Sequence, residues 1–283
     1  MTLTLGAVLR DAAARLSASD IPSAALDGRL LICRALGINE TTIVGHPERT
    51  VSIDECARID AAVNRRCARE PLAHIVGEKE FWSLNFHVSA SVLTPRPDTE
   101  TLIEAVLSAR PDSQEALRIL DLGTGSGCIL LTLLSEYPNA CGVGIDISPD
   151  AIEVAGTNAR TLGLQGRSAF VCANWCDPLN ARFDVIVSNP PYIPENDIQN
   201  LEPEVAAFEP LGALTGGKDG LDAYRTLADL MPRFLKNQGL AAFEIGMGQS
   251  NAVVTLLKDA GLSALNVRRD LAGVERVICA ELK

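Results

Sequence analysis

The sequence has few histidines, no long apolar run and no excess of basic residues, and each lack excludes a class of protein. Its three histidines stand far apart, which argues against a zinc site. The longest stretches without a charged residue, Phe81–Pro95 and Leu122–Ser135, have 15 and 14 residues, fewer than the roughly 20 that a membrane-spanning helix needs. The first residues lack the basic leader of a signal peptide, so we expect a cytoplasmic protein with no membrane attachment.

The net charge is negative and unevenly distributed. Lys and Arg number 25 against 36 Asp and Glu, which gives a formal charge of -11. Residues 1–85 are nearly neutral, so residues 86–283 carry almost all of the excess. A protein that holds nucleic acid through its phosphates needs the opposite sign. We therefore expect no direct, sequence-specific contact with nucleic acid.

The eight cysteines are scattered through apolar segments. The nearest pair, Cys172 and Cys176, lacks the spacing of a zinc site, and no second pair completes four ligands. In a cytoplasmic protein such cysteines stay reduced. We interpret them as buried thiols and predict neither disulfides nor a metal site.

The first part of the chain has helical periodicity. Apolar residues recur at spacings of three and four from Thr4 to about Arg69, and Ser52 with Glu55 forms a capping box. These signals predict a small helical domain, residues 1–70, with at least three helices. The period then changes, and residues 71–97 read as a β-hairpin linker with its turn at Ser83–Asn85.

Residues 98–283 alternate between strand and helix signals. Helices between successive strands favour a parallel sheet, so we predict an α/β domain with a doubly wound, mostly parallel, seven-stranded, Rossmann-like sheet. The last two strands are close enough to pair antiparallel. A polar, proline-rich loop is expected at 189–219, and ligands should bind at the carboxyl ends of the strands. The predicted strands are 117–121, 141–146, 168–172, 183–188, 240–245, 263–268 and 274–281.

A glycine-rich loop, Gly123–Gly127, follows the first of these strands and opens a helix. Such a loop lets backbone N–H groups approach a polar or anionic ligand closely. Cys128 stands where the dinucleotide fingerprint needs its third glycine, so that fingerprint is not met. The loop by itself predicts a nucleotide-like ligand.

Asp146 ends the next strand, about 20 residues further on. A carboxylate in this place can accept hydrogen bonds from both hydroxyls of a ribose. The alternative is a helix N-cap, although Ser148 can supply that cap. We favour the ribose, which fits any ligand that contains adenosine.

The segment Asn189-Pro190-Pro191-Tyr192 follows a buried strand. Its prolines stiffen the backbone and remove two amide donors, so that nearby carbonyls remain free acceptors. The Asn189 oxygen and the Pro190 carbonyl can bind both hydrogens of a planar –NH₂ group, and Tyr192 can stack on its face. The segment predicts recognition of an amide or an exocyclic amine. The alternative is a plain proline-rich turn.

These motifs resemble those of class I S-adenosylmethionine-dependent methyltransferases that act on amino or amide nitrogen. Enzymes that methylate adenine N6 in DNA share the Asn-Pro-Pro-Tyr motif, so the motif alone names no substrate. Further segments narrow the resemblance to the PrmC/HemK family, over nearly the whole chain. They are Pro71–Leu84, Leu93–Glu100, Phe208–Leu214, Gly216–Leu221 and Phe243–Gly246.

The resemblance implies an S-adenosyl-L-methionine cofactor, with S-adenosyl-L-homocysteine as product. It implies a substrate as well: the glutamine of the Gly-Gly-Gln loop of peptide chain release factors, methylated at N5, free or on the ribosome, which modulates translation termination. The helical domain would then recognise the factor. The implied cofactor residues are Gly123, Thr124, Gly125, Ser126, Gly127, Asp146, Trp175 and Asn189. The implied substrate residues are Asn189, Pro190, Pro191 and Tyr192, of which Asn189, Pro190 and Tyr192 would be catalytic.

Two alternatives stay open at this point. The chain could be a methyltransferase for adenine N6 or another amino group of nucleic acid, which its acidity disfavours, or a binding module without catalysis. No convincing general base is evident, and we interpret Glu100 and Glu244 as parts of ion pairs or caps. The basic cluster Arg65, Arg66 and Arg69 is interpreted as a solvated helix face.

Overall fold

The computed structural model describes residues 3–177 and 179–282. The chain divides into two compact units. The first contains the residues up to Glu78 together with a later segment, Glu202–Phe208. The second contains Lys79–Leu201 and the residues from Glu209 onward.

The first unit is helical, as predicted. Its helices bury one apolar face each, and two short strands pair antiparallel beside them. The elements are β1 (Leu3–Thr4), α1 (Leu5–Ala18), α2 (Ala24–Leu36), α3 (Glu40–Gly45), β2 (Thr50–Val51), α4 (Ile53–Cys67) and α5 (Leu72–Val76).

Helix α4 shows both a confirmed and a wrong prediction. The capping box forms as expected, with the Ser52 hydroxyl accepting from the Glu55 N–H and the Glu55 carboxylate accepting from the Ser52 N–H. Arg66, however, is only 6% exposed, and its guanidinium donates to Asp27 at 2.7 Å and to Glu204 at 3.0 Å. The solvated face predicted for Arg66 is wrong, because both partners come from distant parts of the sequence.

The second unit alternates strands and helices after a hairpin. The hairpin turns at Trp82 and Ser83, both with positive φ, one residue earlier than predicted. Short 3₁₀ helices cover Pro97–Thr99 and Glu195–Asn200. The elements are β3 (Glu78–Phe81), β4 (Leu84–His87), α6 (Glu100–Ala109), β5 (Arg118–Leu122), α7 (Cys128–Glu136), β6 (Cys141–Asp146), α8 (Pro149–Thr161), β7 (Ser168–Cys172), β8 (Phe183–Ser188), α9 (Pro203–Phe208), α10 (Leu211–Leu214), α11 (Asp222–Phe234), β9 (Leu235–Glu244), α12 (Ser250–Asp259), β10 (Leu262–Arg269) and β11 (Glu275–Leu282). Of these, α9 belongs to the first unit.

The main sheet has seven strands in the order β10-β11-β9-β8-β5-β6-β7. All neighbouring pairs from β9 to β7 are parallel, and β11 pairs antiparallel with both β9 and β10. The predicted doubly wound, mostly parallel sheet is thus confirmed. The order reverses between β5 and β8, which is where such sheets bind their ligands.

Two stretches differ from the predictions. The region 189–219, expected to be a loop, contains short helical elements that include α9 and α10. Strand β9 begins at Leu235 rather than at 240. Pro232 lies in the last turn of α11, where it cannot donate a backbone hydrogen bond, and Leu235 is fully buried beside Phe183 of β8. Burial and pairing thus extend the strand backwards.

All eight cysteines are free thiols, and the prediction that they are buried is correct for only some of them. Cys128, Cys176 and Cys279 are buried, whereas Cys141 and Cys172 are exposed. Cys141 begins β6, and Cys172 ends the edge strand β7, so neither lies inside the sheet. Among the described residues, no helix is long and apolar enough to cross a membrane.

Candidate active site

A cavity of about 360 Å³ lies at the carboxyl ends of β5, β6 and β8 in the second unit. Its size is in the range of sites for small ligands. Most of the predicted site residues line it, while Gly127, Pro190 and Tyr192 are not among the described residues that do. The predicted residues in its wall are Gly123, Thr124, Gly125, Ser126, Asp146, Trp175, Asn189 and Pro191.

The first three N–H groups of the glycine loop are bonded within the protein. The N–H groups of Gly123 and Thr124 both donate to the Ile145 carbonyl, and the Gly125 N–H donates to Asp146. Gly123 and Gly125 have positive φ, and a side chain added at either would meet nothing within 4 Å. These N–H groups are therefore not free to bind a ligand, contrary to what the sequence had led us to expect. The glycines instead supply an open wall that a ligand can approach.

Asp146 holds the loop and still has capacity for a ligand. Its Oδ2 accepts the Gly125 N–H at 2.9 Å, and its Oδ1 accepts the Ser148 N–H at 3.0 Å. Each carboxylate oxygen has two lone pairs, so each can accept one further hydrogen bond. Ser148 itself caps α8 through the Ala151 N–H, so the alternative role of Asp146 as that helix cap is not needed.

Asp121 is a residue that the sequence reasoning missed. It is 0% exposed at the end of β5, and the Thr124 hydroxyl donates to its Oδ2 at 2.6 Å. Its other oxygen, Oδ1, is buried without a partner among the described residues. Burial raises the pKa of this carboxyl to about 7, against the opposing hydrogen bond from Thr124. An unpaired buried carboxylate oxygen suits a cationic group of a ligand.

Asn158 was missed as well, although it braces the loop. Its side-chain amide donates to the carbonyls of Ser126 and His87 and accepts the His87 N–H, while only 1% of the residue is exposed. A helical asparagine carries no sequence signal of such a role. Its contacts join the glycine loop to the end of the hairpin strand β4.

Trp175 lies in the cavity wall next to Asn174. Its backbone has a positive φ of 49°, which is uncommon for a bulky residue. The side chain packs against the core cluster on its side of the sheet. A flat ring held in this place can contact the face of a heterocyclic base.

Asn189 follows β8 and faces the same cavity. Its Nδ2 donates to the hydroxyl oxygen of Thr99 at 3.3 Å, which leaves its Oδ1 as an acceptor for a ligand. Thr99 is 2% exposed and also lies in the cavity wall. The Asn-Pro-Pro-Tyr segment therefore brings an oriented acceptor to the space beside the glycine loop.

Tyr192 turns toward the end of β9. Its hydroxyl donates to Glu244 Oε1 at 3.4 Å, and burial raises the pKa of its phenol well above the ordinary value. Stacking of Tyr192 on a substrate therefore stays a prediction.

Glu244 is 1% exposed, and burial raises its pKa to about 7, opposed by the Thr99 hydroxyl and the charge of Arg276.

The other candidates have structural partners. Glu100 accepts the Trp82 N–H at 2.9 Å in the hairpin turn, in line with its interpretation as a cap. Arg96 lines the cavity and donates to both oxygens of the buried Glu209 at 2.8 Å. Within the described ranges, no group of three or more Cys, His, Asp or Glu side chains is placed to hold a metal ion.

The chemical groups around the cavity match the parts of S-adenosylmethionine. In the wall, Asp146 offers acceptors for a ribose and Trp175 offers an aromatic face for a base. Behind the wall residue Thr124, the buried Asp121 keeps one carboxylate oxygen without a partner among the described residues. The open glycine wall leaves space between them. Asn189 adds an acceptor for a second ligand in the same cavity.

Comparisons with known proteins agree with this description. Residues 7–77 match the PrmC N-terminal domain, and residues 113–244 match a methyltransferase domain. The chain is 46% identical to the release factor glutamine methyltransferase of Rhodospirillum rubrum, over 98% of this chain and 85% of that one. It is 45% identical to the enzyme of the same name from Caulobacter vibrioides, over 98% and 96%.

The second unit has the class I methyltransferase fold. Among solved structures, the T. thermophilus 16S rRNA N2 G1207 methyltransferase, in complex with AdoMet and guanosine, aligns with a TM-score of 0.51. The identity is 21%, over 73% of this chain and 50% of that one, so this likeness concerns the fold alone.

Proposed function

The chain belongs to the family of release factor glutamine methyltransferases, and from this premise we propose how its own residues carry out the transfer. The proposed reaction moves a methyl group from S-adenosylmethionine to the side-chain amide nitrogen of the glutamine in the Gly-Gly-Gln loop of a release factor. One observation carries the proposal: the Asn189 amide and the glycine-loop cradle lie in the wall of the same cavity.

The cofactor half of the cavity is assigned to residues from β5 to β7 and the loops that follow. Asp121 pairs with the ammonium group, Asp146 accepts from the ribose, and Trp175 lies against the adenine. The loop residues Gly123, Thr124, Gly125 and Ser126 enclose the methionine part, and Gly127 is the N-cap of α7, the helix that follows the loop. When bound, S-adenosylmethionine supplies an electrophilic methyl group on a sulfonium.

The substrate half is assigned to the Asn-Pro-Pro-Tyr segment. Asn189 Oδ1 and the Pro190 carbonyl accept the two N–H hydrogens of the glutamine amide, and Pro191 and Tyr192 shape the surrounding wall. An amide nitrogen is a weak nucleophile because its lone pair is shared with the carbonyl. Two acceptors that hold its hydrogens direct that lone pair toward the methyl group, so positioning supplies most of the acceleration.

Proton removal needs no strong base before transfer. The nitrogen becomes acidic only as it takes on positive charge, and its proton then passes through the acceptors to water. Glu100 is bound to the hairpin turn, and the described contacts of Glu244 are with the segment behind Asn189. Neither residue is assigned as a base.

The helical unit is proposed to recognise the release factor. Its match to the PrmC N-terminal domain supports this role, and none of its described residues lines the cavity. We place the boundaries at residues 1–70 for this domain, 71–97 for the hairpin linker and 98–283 for the methyltransferase domain. The reaction is proposed to take place in the cytoplasm, on the free or the ribosome-bound factor, and to modulate termination.

Radiolabel transfer tests the proposal. The purified chain is incubated with methyl-labelled S-adenosylmethionine and, in separate tubes, an unmodified release factor, its Gly-Gly-Gln to Gly-Gly-Ala variant, and duplex and single-stranded nucleic acid. The expected result is label on the factor only, lost in the variant and mapped by mass spectrometry to that glutamine. Label on nucleic acid alone would contradict the proposal and make the Asn-Pro-Pro-Tyr segment an adenine site.

A further inference from the structure

The side chain of Gln249 lies where three backbone segments of the second unit meet. Its Nε2 donates to the Tyr192 carbonyl at 3.0 Å and to the Gly220 carbonyl at 3.2 Å. Its Oε1 accepts the Gly246 N–H at 3.0 Å. The –NH₂ group and the oxygen of this amide are thus both bound to main chain.

These partners fix the direction of the Gln249 amide. A main-chain carbonyl can only accept and a main-chain N–H can only donate, so a flipped amide would lose all three contacts. An ionised glutamate has the same shape but no N–H, and methionine has a similar length but neither group. A glutamine amide, with two donors and one acceptor, therefore matches the three segments.

Gln249 does not serve its own helix. It occupies the N-cap position of α12, where Ser, Thr, Asp or Asn usually accepts a hydrogen bond from the first turn. Gln249 makes no such side-chain cap. Its amide reaches Tyr192 and Gly220 instead, which lie 57 and 29 residues away in sequence. Its role is therefore to join distant segments rather than to start the helix.

The segments approach this amide closely because two of them have a glycine at the contact. A Cβ atom added at Gly220 would lie 2.4 Å from the Tyr192 carbonyl oxygen and 2.7 Å from Gln249 Nε2. A Cβ atom added at Gly246 would lie 2.8 Å from Gln249 Oε1. Gly220 also has a φ of 75°, which L side chains disfavour. The packing around the amide therefore leaves no space for side chains at the two glycines.

The Asn-Pro-Pro-Tyr segment has few backbone donors of its own, because neither proline has an N–H. Just before the segment, the buried Ser188 hydroxyl donates to the Leu122 carbonyl at 2.6 Å. At its end, the Tyr192 carbonyl accepts from Gln249. Because proline also restricts φ, contacts on both sides of the proline pair fix the position of the Pro190 carbonyl between them.

We propose that Gln249 is a positioning residue, which holds the Asn-Pro-Pro-Tyr backbone so that the Pro190 carbonyl and the Asn189 oxygen converge on the substrate amide. The inference rests on the proposed function, since that function assigns both acceptors. Gln249 is not among the described residues that line the cavity. It acts through the segment and touches neither the cofactor nor the substrate.

Gln249→Glu tests the proposal. The glutamate keeps the shape and the acceptor but turns an ionised oxygen toward the two carbonyls that Nε2 binds in the wild type. The number of folded sites is counted by calorimetric titration with S-adenosylmethionine. We expect kcat for methylation of the factor, per cofactor-binding site, to fall about tenfold to a hundredfold, because a small displacement of reacting groups has this effect.

The other constants of Gln249→Glu should change little. The Kd for S-adenosylmethionine and the KM for the factor should each stay within about threefold of wild type, because the residues assigned to the cofactor and the helical unit are unchanged. Asn251→Asp is the control, since it makes the same change from amide to acid at an exposed position of α12. Its kcat and Kd should stay within about twofold of wild type.

Gln249→Met is a second variant, which removes the contacts without adding a charge. Methionine has a similar length and adapts to its surroundings, so this variant is the less disruptive of the two. We expect kcat per cofactor-binding site to fall about threefold to tenfold, as for lost hydrogen bonds. If Gln249 served only the structure, the thermal unfolding midpoint would fall and kcat per site would be unchanged.

The possible results separate this inference from the function on which it rests. Three results would overturn the positioning role alone, with wild type still labelling the glutamine. They are wild-type kcat per site in Gln249→Glu, a loss of cofactor affinity as large as the loss of kcat, and failure of both Gln249 variants to fold, which would make the residue a purely structural one. Wild type that leaves the glutamine unlabelled would overturn the proposed function and this inference with it.

Discussion

Asp121 and Glu244 invite comparison because they are built in the same way on the two strands that flank β8. Both are buried, both have one oxygen without a partner among the described residues, and burial raises the pKa of each to about 7. In each case a threonine hydroxyl opposes this rise of the pKa, Thr124 for Asp121 and Thr99 for Glu244. The two carboxyls differ in the part of the site that contains this threonine.

The contacts of each carboxyl indicate which half of the cavity it lies beside. Thr124 is part of the glycine loop, so Asp121 is coupled to the cofactor wall. Glu244 accepts from Tyr192 of the Asn-Pro-Pro-Tyr segment, so it lies on the side of the proposed substrate acceptor. Burying a carboxyl costs folding free energy. One of these two carboxyls lies on the cofactor side of β8, and the other lies on the substrate side.

The largest effect should come from removing the acceptor that lies between them. Asn189→Ala is expected to lower methyl transfer at least a hundredfold, because the substrate nitrogen loses its main positioning contact. The Kd for S-adenosylmethionine, measured by calorimetry, should change by less than about threefold. Equal loss of transfer and of cofactor binding would show that Asn189 does not separate the two halves.

Stability as a function of pH should show what the two carboxyls share. A carboxyl with a raised folded pKa contributes most stability below its unfolded pKa and loses that contribution as pH rises through about 7. Asp121→Asn and Glu244→Gln should each therefore unfold less readily than wild type at pH 8, by up to about 3 kcal/mol. The difference should vanish near pH 4, in denaturant titrations of the free protein. A variant less stable than wild type at pH 8 would contradict the burial argument.

Asn158→Ala should have a smaller effect than these substitutions, and it should not alter the difference between Asp121 and Glu244. It removes the amide that joins Ser126 to the end of β4, which leaves buried backbone groups unsatisfied. We expect a loss of about 2 kcal/mol of unfolding free energy and a several-fold weaker affinity for S-adenosylmethionine. Thr157→Ala, at a half-buried neighbour whose hydroxyl donates to the Glu153 carbonyl of the same helix, is the control and should change neither quantity.

The sequence predicted the framework of the sheet well and its buried polar contacts poorly. Strands β6, β7 and β8 have the predicted bounds, because each has a strong period and clear end signals. Thr99 gave no signal, since it meets Asn189 only after the chain has folded. Arg66 was misjudged for the same reason, as its partners Asp27 and Glu204 are far from it in sequence.

The division of the cavity into a cofactor half and a substrate half is best tested by calorimetry. S-adenosylmethionine is titrated into Asp121→Asn and into Glu244→Gln, and kcat for the factor is measured for both variants. Asp121→Asn should weaken cofactor binding about ten- to hundredfold, the range for a hydrogen bond to a charged group, and retain most of kcat at saturating cofactor. Glu244→Gln should bind the cofactor like wild type, because the described contacts of Glu244 are with Tyr192 and Tyr224. The same change in Kd for both variants would contradict the division of the cavity into a cofactor half and a substrate half.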